Sequence, residues 1–488
     1  MLLSHSLLLT GRRLALSVAS LVVLLAPARL CAQSTVRAAV GDTLSLSLED
    51  AVSLAQRQSD EVGVAQAEAE VADARLGVAR ANVMPQLRLN GTYTHVYQSA
   101  RGQAVGSVFN QPNTYGLNLN LSQTFFQGGK LLNAVRSASD VREAARYDER
   151  EQRALVTLDV QRAYLQALYT ARIATIQDTN LALAASRLAQ VEQFERAGQA
   201  ARYDVLRARV ERANIEPLVL QARSDEELAL LDLKRVLNVP IEQPIRLTSR
   251  INADSAATVL AELADTATVI DRAVVRAAER TAAARRFDVA VARADYYPTV
   301  SAFIQSGYAA YPLPGQGVPT ARGTLAETFC PNGSAPGRLC QNGGFFSDQQ
   351  AGIAISMPLF DGFRVHSNVD LAEAQVRLAD LTLRQQREAV AVEVARARAE
   401  LRRSQAVFAA RRQNSAEAAE AFRLASLRFS RGLSTQLEVS DAQLALLTAE
   451  STEARATYDL FLASADLARA LGRPVPLLPT VATVPASH

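Results

Sequence analysis

The sequence has no tryptophan, three cysteines, three methionines and four histidines among its 488 residues, and only 6% of its residues are aromatic. The net charge of +3 gives no electrostatic basis for binding nucleic acid. After residue 32, no segment approaches the run of eighteen or so apolar residues that a membrane-spanning helix needs. If the protein resides in a membrane, the sequence therefore predicts that β-strands place it there.

Residues that carry catalysis or bind metals are also scarce. The sequence contains no phosphate-binding loop, no nucleophile elbow and no Ser/His/Asp constellation. The histidines show no metal-ligand spacing. We expect a protein that is not an enzyme and that uses no cofactor and no metal. Cys330 and Cys340 lie in a segment rich in Gly, Pro and Asn, and they are candidates for a disulfide in an exported protein.

Residues 1–32 have the pattern of an export signal. Arg12 and Arg13 precede an apolar stretch at 14–26, and small residues follow. Cleavage after Ala32 would remove Cys31 with the signal. A lipid anchor on Cys31 is the alternative, but the residues before it are larger than a lipoprotein site requires.

The sequence does contain an internal repeat. At an offset of 234 positions, residues 122–130 match 356–364, Gly198 falls on Gly432, and residues 237–240 fall on 471–474. A constant offset over so many positions indicates two copies of one structural unit.

Each copy predicts the same order of elements: an Ala-rich helix, a β-hairpin, a long helix and a return helix. Strands are predicted at about 87–97 and 114–124 in the first copy, and at about 299–309 and 349–358 in the second. Their alternating pattern suits a strand between lipid and water, and it also suits a half-buried strand in a soluble sheet. Residues 131–194 contain no Gly or Pro, which predicts a helix of about 90–100 Å. Pro217 predicts a kink or break in the first return helix.

These patterns divide the chain into a signal at 1–32, a first repeat at 33–240, a linker at 241–265, a second repeat at 266–474 and a flexible tail at 475–488. The first helix of each repeat is predicted at about 47–83 and 268–294. Four strands cannot close a barrel, and an open strand edge is unfavourable in lipid. Other chains must complete the sheet, and three chains would supply twelve strands around a water-filled lumen.

The tandem repeat, with Phe194 and Phe429 just before Gly198 and Gly432 and an acidic residue and Val six positions after each Gly, resembles the TolC family of outer-membrane efflux proteins. The resemblance implies a mainly α fold with a β-barrel part: a homotrimeric twelve-stranded outer-membrane β-barrel continuous with a periplasmic α-helical barrel. The linker would belong to an equatorial region.

The same resemblance implies a passive exit duct of a tripartite efflux or type I secretion system. Its partners would be a periplasmic adaptor (membrane fusion) protein, an inner-membrane transporter of the RND, ABC or a similar class, and outer-membrane lipid. Drugs, metals and proteins all remain open as substrates, although sparse His and Met argue weakly against a metal route. The alternative is a periplasmic coiled-coil adaptor-type protein without a membrane barrel.

The resemblance also implies roles for residues at the hairpin tips. Gly198, Gly432 and Leu433 match adaptor-docking positions. Glu438 and Asp441 match the acidic positions that line the narrowest ring of the pore entrance.

In the first copy, Asp204 matches the first of these acidic positions, but Arg207 replaces the second. The alternative role for Asp204 and Glu438 is to stabilise the first turn of the return helices. A basic residue that holds some family members shut is replaced by Ser434 here, which leaves Arg196 and Arg431 as candidates for that role.

Overall fold

The computed structural model describes residues 43–98, 100–105, 112–249, 272–312 and 345–473. Contacts divide the chain into two compact units. One comprises residues 44–241 and 245–488 and contains every helix and strand named below. Of the other unit, Thr43 and Glu242–Pro244 are described, and they form irregular backbone.

Helices dominate the described residues, and a four-stranded sheet and a two-stranded sheet accompany them. In chain order the elements are β1 (Leu44–Leu46), α1 (Leu48–Gln58), α2 (Asp60–Ala81), β2 (Gln86–His95), α3 (Ala100–Val105), β3 (Asn113–Gln127), α4 (Lys130–Arg196), α5 (Arg202–Val236), β4 (Ile245–Leu247), α6 (Ala273–Arg293), a 3-10 turn (Ala294–Tyr296), β5 (Thr299–Ala310), β6 (Phe345–Ser356), α7 (Arg364–Ser430) and α8 (Gln436–Ala470).

The long helices of the two copies have equal lengths. α4 and α7 each have 67 residues, and α5 and α8 each have 35. Each pair begins at positions 234 residues apart, which is the offset seen in the sequence. Residues in the left-handed region sit at matching helix ends, at Gly198 and Gly432 and again at Asn238 and Gly472. The long helix and the return helix therefore have the same lengths and the same kind of helix end in the two copies.

Two expectations about helix continuity need correction. The first Ala-rich segment is two helices, because Ser59 adopts an extended backbone between α1 and α2. α5 continues through Pro217, so of the kink or break expected there the break does not occur. Ile215 and Val219, on either side of Pro217, are buried against α4, and this packing offsets the lost backbone hydrogen bond.

The main core forms where α4 packs against α1, α2, α5 and α8, and where α8 packs against α7. Most of its buried residues are Ala, Val and Leu. Tyr164 of α4 is fully buried, and its hydroxyl donates to the Leu46 carbonyl at 2.9 Å and accepts from the Ser249 N–H at 3.2 Å. These bonds attach the parallel pair β1–β4 to the core. Burial raises the pKa of Tyr164, so the phenol stays protonated.

β2, β3, β5 and β6 form one antiparallel sheet in that order. The strands lie within a few residues of the predicted ones. β3 extends further, through a bulge between Thr124 and Phe126, and β6 begins at Phe345 rather than near residue 349. β2 and β6 are the outer strands, and each has one edge without a partner strand among the described residues.

Several expectations fall outside the described residues. These are the signal at 1–32 with Cys31, the Cys330–Cys340 pair, the tail at 475–488 and most of the linker at 241–265.

Candidate functional site

The four-stranded sheet has one apolar face. Cross-strand pairing places aliphatic and aromatic side chains of all four strands together, and in the single chain they are exposed. They are Leu87, Leu89, Tyr93, Leu117, Leu119, Leu121, Ile304, Tyr308, Ile353 and Ile355. An exposed apolar surface of this extent marks a site that contacts lipid or another protein.

The opposite face of the sheet is polar. Asn90 pairs with Asn118, and Gln350 donates to the Gln305 side chain at 2.9 Å. Gly307 lies so close to the Leu117 carbonyl and Asn118 that a Cβ at this position would overlap both. Strands with one lipid-compatible face and one water-compatible face are what a pore wall requires.

Two features are absent from the described residues. None of the helices in the described ranges combines the length and the apolar character needed to cross a lipid bilayer. Across the same ranges, no three His, Cys, Asp or Glu side chains are grouped so that they could hold a metal ion.

The turns that join α4 to α5 and α7 to α8, which we call the hairpin tips, have the same geometry. Gly198 and Gly432 both have φ of +73°, in the left-handed region. Beyond each glycine, the next N–H donates back into the preceding helix, from Gln199 to the Phe194 carbonyl at 2.8 Å and from Leu433 to the Arg428 carbonyl at 2.9 Å. This turn is a common helix end that favours glycine at the left-handed position.

The tips also touch one another. The ring centroids of Phe194 and Phe429 lie 6.4 Å apart, so the first and second helical hairpins meet just before their turns. Leu433, Tyr203 and Leu437 are exposed around the turns. A Cβ at either tip glycine would meet open space, so the docking positions expected from the sequence are accessible in the chain.

The three acidic residues expected at the entrance differ in their surroundings. Asp204 is half-buried, and its carboxylate accepts the Ala201 N–H at 3.2 Å, which closes the first turn of α5. Glu438 is exposed and accepts from the Ser434 hydroxyl at 2.7 Å. Asp441 is exposed one turn further along α8. The helix-stabilising role is therefore visible for Asp204, whereas Glu438 and Asp441 present carboxylates to solvent.

The two arginines considered for holding the tips together do not bridge them in the described residues. The Arg196 guanidinium donates to the Glu192 carbonyl of its own helix, and the Arg431 side chain makes no hydrogen bond within the part of the chain that the structure describes. Neither links the first hairpin to the second.

Arg187 makes that link instead. Its side chain is only 8% exposed and donates to Glu211 of α5 at 3.4 Å and to the Ser440 hydroxyl of α8 at 3.0 Å. The Ser440 hydroxyl in turn donates to Glu211 at 3.2 Å. Burial lowers the pKa of Arg187, while the charge of Glu211 opposes that shift. Seven residues earlier on α4, the buried Asn180 accepts from Gln443 of α8 at 2.6 Å.

The sequence analysis did not single out these residues, so this polar cluster was missed. Its signal is the placement of Arg187 beside Ala184, Leu188 and Val191, all buried. A charged residue within an apolar seam predicts a buried partner.

Comparisons with known proteins agree with this geometry. Residues 51–239 and 269–473 match the family described as outer membrane efflux protein. A curated relative, the pyoverdine export outer membrane protein OpmQ of Pseudomonas putida, is 25% identical over 439 residues, covering 88% of this chain and 86% of the relative.

Solved structures share the fold. The outer membrane protein VceC of Vibrio cholerae superimposes with a TM-score of 0.67 at 22% identity, covering 87% of this chain and 96% of VceC. The open state of the Neisseria gonorrhoeae MtrE outer membrane channel gives a TM-score of 0.65 at 19% identity, covering 88% and 89%. The TolC-like resemblance is thus confirmed, and the chain belongs to the outer membrane efflux protein family, as an export channel of the outer membrane with a periplasmic helical part.

Proposed function

We propose that three copies of this chain form the exit duct of a tripartite export system. The observation that carries the proposal is the sheet, which has an apolar face, a polar face and two outer strands whose outer edges have no partner strand among the described residues. An unpaired edge is unfavourable in lipid, because its backbone groups find no hydrogen-bond partner there. Pairing β6 of one copy with β2 of the next satisfies both edges and turns three sheets into one barrel of twelve strands.

In this arrangement the polar face lines a water-filled lumen and the apolar face contacts lipid. β3 and β6 both finish at the same end of the sheet, and they lead into α4 and α7. Each of these helices is about 100 Å long. Three copies would therefore continue the duct on the periplasmic side of the barrel.

We assign the narrow entrance to Glu438 and Asp441. Three copies of two exposed carboxylates make a ring of negative potential, which favours cations. Asp204 contributes less to this ring, because its carboxylate is already bound to the backbone of its own helix.

We assign adaptor docking to the tips at Gly198, Gly432 and Leu433. Exposed apolar side chains beside open turns suit a periplasmic adaptor whose own helical hairpins pack against them. The adaptor would connect the duct to an inner-membrane transporter, and the duct itself conducts passively.

The test is to purify the mature chain in detergent and measure its oligomeric mass in SDS with and without heating, and its conductance in planar bilayers. A heat-sensitive trimer with cation-selective openings supports the duct. A water-soluble monomer without conductance would refute the duct and favour the alternative of a periplasmic coiled-coil adaptor-type protein.

A further inference from the structure

The two repeats share an ion pair that shows how their positions correspond. Matching positions are 213 residues apart in α2 and α6, and 234 residues apart in the long and return helices. Within the first repeat, Asp73 of α2 pairs with Arg146 of α4 at 3.2 Å. Within the second, the matching positions hold Arg286 of α6 and Asp380 of α7, which pair at 2.9 Å with the charges reversed. The same two positions therefore meet in both repeats.

Within the chain, the second repeat packs on the long helix of the first. α6 packs on α4, where the Ser137 hydroxyl donates to Asp288 at 2.6 Å. α8 also packs on α4, where Arg162 donates to Asp466 at 2.7 Å. If the repeats of two neighbouring copies meet in the same way, α2 and α5 of one copy pack on α7 of the other. This order agrees with the pairing of β6 with β2 between copies.

α2 and α7 each carry an apolar stripe that the single chain leaves exposed. The exposed stripes are Val64 and Val71 on α2 and Leu371 and Leu378 on α7. The matching positions are buried within the chain, and they are Ala277 and Ala284 on α6 and Ser137 and Ala144 on α4. Apolar side chains seven residues apart line one face of a helix and are typical of a seam between helices. The exposed stripes are therefore suited to a second copy of the chain.

One charged pair recurs in this comparison. The positions that match Arg162 and Asp466 hold the same two residue types, Arg396 on α7 and Asp232 on α5. Arg162 and Asp466 pair within the chain, whereas Arg396 is exposed and has no ion-pair partner among the described residues. Asp232 is also exposed, and its contact with Arg235 of the same helix is long, at 3.9 Å. Both members of the second pair are therefore available to another copy.

Asp232 faces an acidic cavity among α2, α4, α5 and α8. The cavity has a volume of about 570 Å³. Its charged lining consists of four carboxylates and two guanidinium groups, which belong to Asp60, Glu61, Asp159, Asp232, Arg162 and Arg235. Since Arg162 is already bound to Asp466, the lining carries an excess of negative charge. An arginine from outside the chain would offset this excess.

We propose that Arg396 of one copy binds Asp232 of the next copy, at the mouth of this cavity, in each of the three junctions of the duct. The occupant of the surface formed by α2 and α5 is α7 of a second copy. This inference rests on the trimer of the proposed function and goes further, because it fixes which helices meet and in which register. Sliding α7 by one turn would bring Glu400 to Asp232, and the two carboxylates would repel each other.

The test reverses each charge and then restores the pair. Asp232→Arg and Arg396→Asp each place two like charges at all three junctions. We expect either variant to lose the SDS-resistant trimer at a lower temperature than the unaltered mature chain. A chain that carries both changes restores opposite charges at every junction, and its trimer should regain most of the lost temperature.

Mixed trimers show whether the pair joins different chains. A chain with Asp232→Arg and a chain with Arg396→Asp are co-expressed with different affinity tags, and trimers with both tags are purified in two steps. Two of the three junctions in such a trimer hold opposite charges, so it should withstand a higher temperature than either parent trimer. The matched control mixes Arg162→Asp with Asp466→Arg, which should restore nothing, because that pair forms within one chain.

Mixed trimers that are no more heat-stable than their parents would overturn the proposed pair and leave the duct intact. Failure of the unaltered chain to form a trimer refutes the duct and the pair together. If a reversed variant does not assemble at any temperature, Asp232→Asn and Arg396→Gln replace the reversals in a double-mutant cycle. Asp232→Asn should then destabilise the trimer that contains Arg396 and have no further effect beside Arg396→Gln, whereas equal effects in both backgrounds would overturn the pair.

Discussion

Arg187 holds α8 against the first hairpin, and its removal should favour an open entrance. The side chain donates one hydrogen bond to Glu211 and one to Ser440, and it is almost wholly buried. A hydrogen bond that involves a charged group contributes about 1.5–3 kcal/mol. Because the 3.4 Å contact is long, we expect Arg187→Leu to remove about 2–4 kcal/mol per protomer.

If the entrance opens when α8 moves away from α4 and α5, this energy acts on the closed state alone. A loss of 2–4 kcal/mol shifts the ratio of closed to open protomers by about 30- to 700-fold. Single-channel recording in planar bilayers measures the shift as a larger fraction of time at high conductance. Ser440→Ala removes one partner of Arg187 and should give a smaller effect in the same direction.

The matched control is Arg209→Gln. Arg209 also belongs to the tip region, but it pairs with Glu192 within the first hairpin at 3.4 Å. Arg209→Gln removes one positive charge, as Arg187→Leu does, but it breaks no hydrogen bond to α8. The reasoning fails if Arg187→Leu opens no more often than Arg209→Gln, provided that both variants assemble.

Three further predictions concern the entrance, the turns and one carboxylate on α4. Glu438→Gln combined with Asp441→Asn should weaken block of the channel by multivalent cations, and unchanged block in bilayer recordings would exclude the carboxylate ring. Gly432→Ala should lower the melting temperature of the detergent-extracted chain through about 1–2 kcal/mol of left-handed strain, whereas Gly63→Ala, in open space within α2, should raise it or leave it unchanged. Burial, reinforced by neighbouring carboxylates, raises the pKa of Asp148. The folded chain therefore holds this proton more tightly than the unfolded chain, and the free energy of unfolding should fall as the pH rises from about 4 through the raised pKa; Asp148→Asn should flatten that fall in denaturant titrations at several pH values.

The long-range order of the chain could be predicted because it repeats. A segment of more than sixty residues without Gly or Pro favours one long helix, and the 234-residue offset transfers that interpretation from α4 to α7. The alternating pattern of Ile353 and Ile355 likewise predicted both the strand and its apolar face. These signals are strong because many residues contribute to each.

Features decided by few residues were not predictable in the same way. Whether the helix breaks at Ser59 and continues through Pro217 depends on tertiary packing, which can override the local backbone preference of the sequence. The pairing of β1 with β4 joins three-residue strands about 200 positions apart, too short for any periodicity. Arg187 was not singled out, because sequence alone does not show that Glu211 and Ser440 converge on it.

The equal lengths of α4 and α7, and of α5 and α8, limit how this architecture can change in evolution. Inserting one residue into a helix turns everything beyond it by about 100° and moves it by about 1.5 Å. One such insertion would rotate a buried seam out of its contact and leave one tip above the other, separating Phe194 from Phe429. Seven residues restore the seam and lengthen a helix by about 10 Å. Longer or shorter ducts of this design are therefore expected to differ by steps of seven residues, made in all four helices together.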